Sequence, residues 1–188
     1  MPRLVCTFLL LAAPLSAQPT AKFTPETALG VVSYAVLDLS DDGAWVAATS
    51  STRADQLGTD YRRDGDPTYL RPTRSRLWSI ERATGQARPV LPDARLIRAA
   101  VWSPDGRRLA ILGATGDELE ALVWERSTGR LTKVRPPAGK YLAENSELAW
   151  TRSGQRIVFA LRSTAWRDET RKRFAEMTGG PVFVQSSD

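Results

Sequence analysis

Residues 98–114 read RAAVWSPDGRRLAILGA, and the turn at their centre decides the fold. Pro104 presets φ for the second turn position, Asp105 can bond local amides, and Gly106 accepts the positive φ that follows a type I turn. Apolar runs flank this turn on both sides, so the stretch reads as a β-hairpin with a short loop. The layout occurs twice more, as YAVLDLSDDGAWVAATS at 34–50 and ELAWTRSGQRIVFALR at 147–162. Gly43, Gly106 and Gly154 hold the equivalent position. Trp102 and Trp150 match before the turn, with Leu39 in the first copy.

A second unit alternates with the first. RLWSIERATGQARPVL at 76–91 aligns with ALVWERSTGRLTKVR at 121–135, pairing Trp78 with Trp124 and Gly85 with Gly129. Gly85 and Gly129 are 44 residues apart, and Gly106 and Gly154 are 48 apart. Four short antiparallel strands at that spacing are the signature of a β-propeller blade. Gly43 and Gly106 are 63 apart, because a polar surface loop is inserted at 51–74. The expected fold is all-β, an incomplete β-propeller of two blades plus part of a third. Trp78, Trp102, Trp124 and Trp150 are expected to fill the spaces between neighbouring sheets. Trp45 and Trp166 lie outside that equivalence.

Two helices are expected. A short N-terminal one is capped by Thr24, with Pro25 at its first position and Glu26 next. The other is an insert at 164–178, with Trp166, Phe174 and Met177 on one stripe and Trp166 as its core anchor. Asp168 and Glu169 come early in it and Arg171, Lys172 and Arg173 late, as the helix dipole favours. Gly179-Gly180-Pro181 ends it, and PVFVQSSD begins a further strand.

Composition narrows the function classes. The 188 residues are 42% hydrophobic and 25% charged, with a net charge of +5. The basic residues are scattered among acids, without the concentrated stripe that nucleic acid requires, so no nucleic-acid partner is expected. Residues 1–17 have the basic start, apolar run and small-residue end of a secretory signal peptide. They carry Cys6, the only cysteine, so cleavage near Ala17 leaves a thiol-free protein, secreted or periplasmic and without a membrane span. With no histidine and no mature cysteine, zinc chemistry is not expected, nor is any cofactor. Asp60, Asp64 and Asp66 lie near Gly65, but the spacing lacks the acid that closes an EF-hand loop.

WSPDGRRLAIL resembles the Trp-Ser-Pro-Asp-Gly hairpin of bacterial propellers, both TolB-like periplasmic proteins and the propeller domains of prolyl oligopeptidase family serine peptidases. Several features together resemble the N-terminal part of secreted dipeptidyl-peptidase or acylaminoacyl-peptidase relatives. These are the leader, TPETALG, the tyrosine- and arginine-bearing insertion before LWSIERATGQARPVL, and the helical insert before GGPVFVQSSD. That resemblance implies a segment gating peptide substrates for a C-terminal α/β-hydrolase domain. The triad is not carried by this chain, which has neither histidine nor a Gly-x-Ser-x-Gly elbow, so no catalytic residue is assigned. Dipeptidyl-peptidase relatives hold a substrate's free amino terminus with a pair of propeller glutamates. Asp168 and Glu169 are the pair that could do so here, with charge placement at a helix start as the plainer account. The alternative is a TolB-like protein-binding module. Two blades and part of a third cannot close a ring, so the chain is expected to be a piece of a longer protein and, by itself, to be either marginally stable or self-associating.

Overall fold

The computed structural model describes residues 23–57, 70, 74–116 and 118–180. The leader, the Asp60, Asp64 and Asp66 cluster and the strand after Pro181 lie outside the described residues.

The first blade is a four-stranded antiparallel sheet of β1 (Val32–Leu39), β2 (Trp45–Thr52), β3 (Arg76–Glu81) and β4 (Ala87–Pro89), paired in chain order. The second repeats it with β5 (Leu96–Trp102), β6 (Arg108–Ala114), β7 (Glu120–Glu125) and β8 (Leu131–Val134). Among the described residues the third is one long hairpin, in which β9 (Lys140–Leu142) pairs with β12 (Leu161–Ser163) and β10 (Leu148–Trp150) with β11 (Ile157–Phe159). Its arms part at 143–147, where Ser146 Oγ accepts from the Ala160 N–H at 2.8 Å and so satisfies a backbone group the break would strand. α1 (Pro25–Leu29) is capped by Thr24 and α2 (Thr164–Thr178) by Ser163. This is the expected architecture: two blades, the hairpin of a third, and two helices in the expected places.

The tight turn explains the repeat. In all three copies the hydroxyl residue before the turn closes it through its backbone, Ser40 to Trp45, Ser103 to Arg108 and Thr151 to Arg156, at 2.8–2.9 Å. The side chains repeat the pattern. Ser40 Oγ and Ser103 Oγ each donate to the Asp two residues on, Asp42 and Asp105, at 2.6 Å and accept from the N–H five residues on. Thr151 and Ser153 form the looser third version at 3.2 Å. Gly106, with φ +63°, takes the left-handed position, and Gly43 and Gly154 match it. Ser103 is fully buried, so its hydroxyl would be costly without these partners.

Alternation then places the apolar residues on both faces of each sheet. Ala47, Leu77, Leu37 and Trp45 of the first blade meet Ala100, Trp102, Leu109, Ile111, Leu122 and Trp124 of the second. The opposite face of the second blade, with Ala110, Leu112 and Ala121, meets Leu142, Leu148, Trp150 and Ile157 of the third. Trp102 is 4% exposed, with its ring centroid 6.4 Å from that of Trp45 and 6.3 Å from that of Trp124. Removing such a side chain costs about 3–5 kcal/mol.

Several expectations change. The register makes Glu81 and Glu125 equivalent, since each donates its N–H across the turn at 2.9 Å, to Gln86 and Arg130. Trp124 therefore matches Ile80, and Trp78 matches Leu122. Trp78 does not fill a joint between blades; it is half-buried on the far face of the first sheet, donating to Ser50 at 2.8 Å. Trp45, set outside the equivalence, instead joins the aromatic cluster. Trp166 does not anchor α2, because the helix has no buried residue and Trp166 is 39% exposed. Nor do the helix charges follow its dipole: neither the first turn holds an acid nor the last a base.

Chain direction sorts the connections. The tight turns after β1, β3, β5, β7 and β10 all lie at one end of the blades. The longer links after β2 and β6, and helix α2 after β12, leave from the other.

Two expectations for stability follow from this geometry. The Ser103 hydroxyl, then the Arg107 N–H and nearby arginines, outweigh the burial of Asp105 and hold its carboxyl below the usual range. The stabilisation from a lowered carboxylate is present above the unfolded pKa and is lost as pH falls through the folded one. Asp105→Ala is therefore expected to lower the melting temperature at pH 7 by the equivalent of about 1 kcal/mol. In a pH series of thermal melts, that gap should close as the solution becomes more acidic than the ordinary aspartate range. A Cβ at Gly113 would sit 2.6 Å from the Leu96 carbonyl oxygen on the paired strand. Gly113→Ala is expected to cost about 1–3 kcal/mol in denaturant titrations, because backbone must move to admit it.

Candidate functional site

The end that carries the longer connections gathers a polar cluster from five segments. Glu118 comes from the loop between β6 and β7, Tyr141 from β9, Glu144 from the break in the third hairpin, and Arg162, Arg167 and Arg171 from β12 and α2. Arg167 is bonded to Glu118, tying α2 to that loop. Thr164 donates its N–H to the Gly139 carbonyl at 3.0 Å, a second tie at the foot of the helix. Arg162 lies 3.6 Å from Glu144 and stacks over the Trp166 ring at 4.2 Å. Arg167 sits 5.1 Å from the centroid of Tyr141.

Tyr141 is the buried member, at 6% exposed, and its hydroxyl has no hydrogen-bond partner of good geometry. Burial, and then the Glu144 carboxylate, push its pKa up, against a smaller opposing pull from Arg162 and Arg167. Tyr141 also lines an open cleft of about 400 Å³ with Thr115, Glu118, Glu120, Lys133 and Lys140. Within it Glu120 is neutralised twice, by Arg95 at 2.6 Å and Lys133 at 2.8 Å. Such a cleft can hold a polar ligand by hydrogen bonds and charge. It has no histidine to act as base for a nucleophile.

Asp168 and Glu169 stand in the second turn of α2 at this same end. Asp168 is 3.5 Å from Arg167, and Glu169 is 2.9 Å from Arg173 one turn on. Both side chains are largely exposed, at 68% and 53%, and neither lines the cleft. Ser103 and Asp105 are bonded to each other inside the turn at the opposite end, as structural residues. Sequence reasoning missed the Tyr141 cluster. Its members are scattered from 118 to 171, and no local spacing announces their meeting.

No protein-family profile matches the sequence, and no curated protein matches it. Solved structures do. Oligogalacturonate lyase from Vibrio parahaemolyticus is 11% identical with a TM-score of 0.52, over 67% of this chain and 34% of that one. TolB from Acinetobacter baumannii is 16% identical with a TM-score of 0.47, over 68% of this chain and 26% of that one. Acylaminoacyl peptidase from Pyrococcus horikoshii is 11% identical with a TM-score of 0.47, over 70% and 18%. The chain thus spans about a third or less of the length of these proteins. At such identity the likeness shows the fold alone. The chain is a β-propeller module, built of two four-stranded blades and the hairpin of a third.

The Tyr141 hydroxyl makes a further expectation. A buried donor without a partner costs free energy, and removing it recovers that cost. Tyr141→Phe should leave the melting temperature unchanged or raise it; a clear fall would show that the hydroxyl is bonded in solution.

Proposed function

We propose that this module is the propeller segment of a secreted serine peptidase of the prolyl oligopeptidase type, admitting and orienting peptides for an α/β-hydrolase domain. The observation that carries the reading is the sorting of connections: the tight turns gather at one end and the long links, α2 and the charged cleft at the other. A surface of loops on a rigid repeat is where recognition resides. It also agrees with the resemblance of the WSPDG hairpin and the helical insert to those peptidases. Asp168 and Glu169, exposed on α2, are the groups proposed to hold the substrate's free amino terminus. The WSPDG hairpin equally resembles TolB-like proteins, and the second reading is therefore a TolB-like module that binds protein partners in the periplasm.

The coding sequence past codon 188 separates the two. A Gly-x-Ser-x-Gly elbow followed by an Asp and a His supports the peptidase, and further blades followed by a stop support the binding module. On the chain itself, a tripeptide with a free amino terminus and its N-acetylated counterpart are titrated by calorimetry or NMR. The free peptide is expected to bind at about millimolar strength, an affinity near 4 kcal/mol. Its binding should vanish in the Asp168→Ala, Glu169→Ala double variant. Equal behaviour of the two peptides rules out amine capture.

A further inference from the structure

The first blade has a second apolar face. On β2 the residues opposite in facing to Ala47 are Val46 and Ala48. Their cross-strand partners are Leu39 and Val36 on β1, and Ile80 and Trp78 on β3. Tyr34 and Val32 continue the β1 row. None of these side chains enters the two clusters between blades. Val36 is 72% exposed, Tyr34 75%, Leu39 50% and Val32 48%. A row of large apolar residues on one sheet face is the mark of an interface.

The chain itself shows what covers such a face. At both internal joints, the side of one blade that carries a small residue early in its second strand, Ala47 or Ala110, packs on the large-residue side of the next. The contacts also recur by position. Asp38 of the first blade accepts from the Trp102 N–H of the second at 2.6 Å. Val101, which occupies the place of Asp38, accepts through its carbonyl from Trp150 Nε1 of the third at 2.8 Å. The next residue in that series is Ala149, and its counterpart across the joint is Leu39. On the third hairpin Ala149 pairs with Val158, facing away from the second blade, and both are exposed, Val158 at 58%.

We propose that the open face of the first blade docks on the open face of the third hairpin of a second copy, head to tail. The chain carries both halves of a joint whose geometry it already uses twice. Made in both directions between two copies, the contact gives a closed dimer of four whole blades and two third-blade hairpins, six blade positions, inside the range of roughly four to eight for closed rings. It rests on the two open faces alone and not on the peptide-gating reading.

The test uses the chain in a Cys6→Ser background, at a series of concentrations in sedimentation velocity. A concentration-dependent dimer is expected. Val36→Asp should weaken it at least tenfold with an unchanged far-UV spectrum, since that side chain is exposed. Cysteine is then placed at Leu39 in one sample and at Ala149 in another. A disulfide-linked dimer is expected only when Leu39→Cys and Ala149→Cys are mixed. A monomer at every concentration, an open polymer, or cross-linking of Leu39→Cys with itself would each overturn the proposal.

Discussion

Strand β6 sets the constraint that the rest of the structure obeys. From Leu109 to Ala114 every residue is buried, so the second sheet is dry on both faces along this strand. An antiparallel sheet commonly leaves one face to water; one with two apolar faces must be sandwiched. The first blade supplies one cover and the third hairpin the other, and Trp102 is held at the first joint by its ring contacts and by Asp38. The same demand passes outward, because the first sheet is apolar on its far side too. Stacked blades and open end faces are one consequence of one pattern.

The polar residues divide between two tasks, and the strand direction decides which. At the tight-turn end, serine, aspartate and glycine replace missing ladder bonds and fix the hairpins. Arg126 adds to this by donating to the Gly106 carbonyl at 3.0 Å and stacking over Trp45 at 4.1 Å. At the other end, the links are long enough to carry charges that the fold does not need. Glu118 and Arg167 connect a loop to a helix there, and no residue of that helix is fully buried. The Ser103–Asp105 pair looks like chemistry and is architecture; Tyr141 attracts no notice in the sequence and lies at the centre of the charged cluster.

The legible part of the fold was the part written locally. The turn residues, glycine spacing and the bounds of α2 could be read because each depends on neighbours within a few positions. The match of Trp78 with Trp124 failed because apolar residues two apart on a strand share a face, so pattern alone does not fix the register. Only the equivalent turn bonds of Glu81 and Glu125 do. The anchor role given to Trp166 failed because a helical stripe shows which side chains share a side, not whether anything faces them. Here Arg162 covers the Trp166 ring, Phe174 is only half-buried and Met177 is exposed.

The sequence by itself determined that this chain is a repeat of hairpins, where each turns, and that it carries no histidine for a triad. The tertiary structure alone decided which tryptophans sit between blades, that Tyr141 is buried among arginines and glutamates, and that Val32, Tyr34, Val36 and Leu39 form an exposed row on the first sheet. The division has a physical reason. Turn and strand preferences are short-range properties of the backbone and its nearest side chains. Burial and charge pairing depend on which segments the stacked sheets bring together, and Glu118 and Arg167 meet only because β6 and β12 deliver their chain ends to the same side.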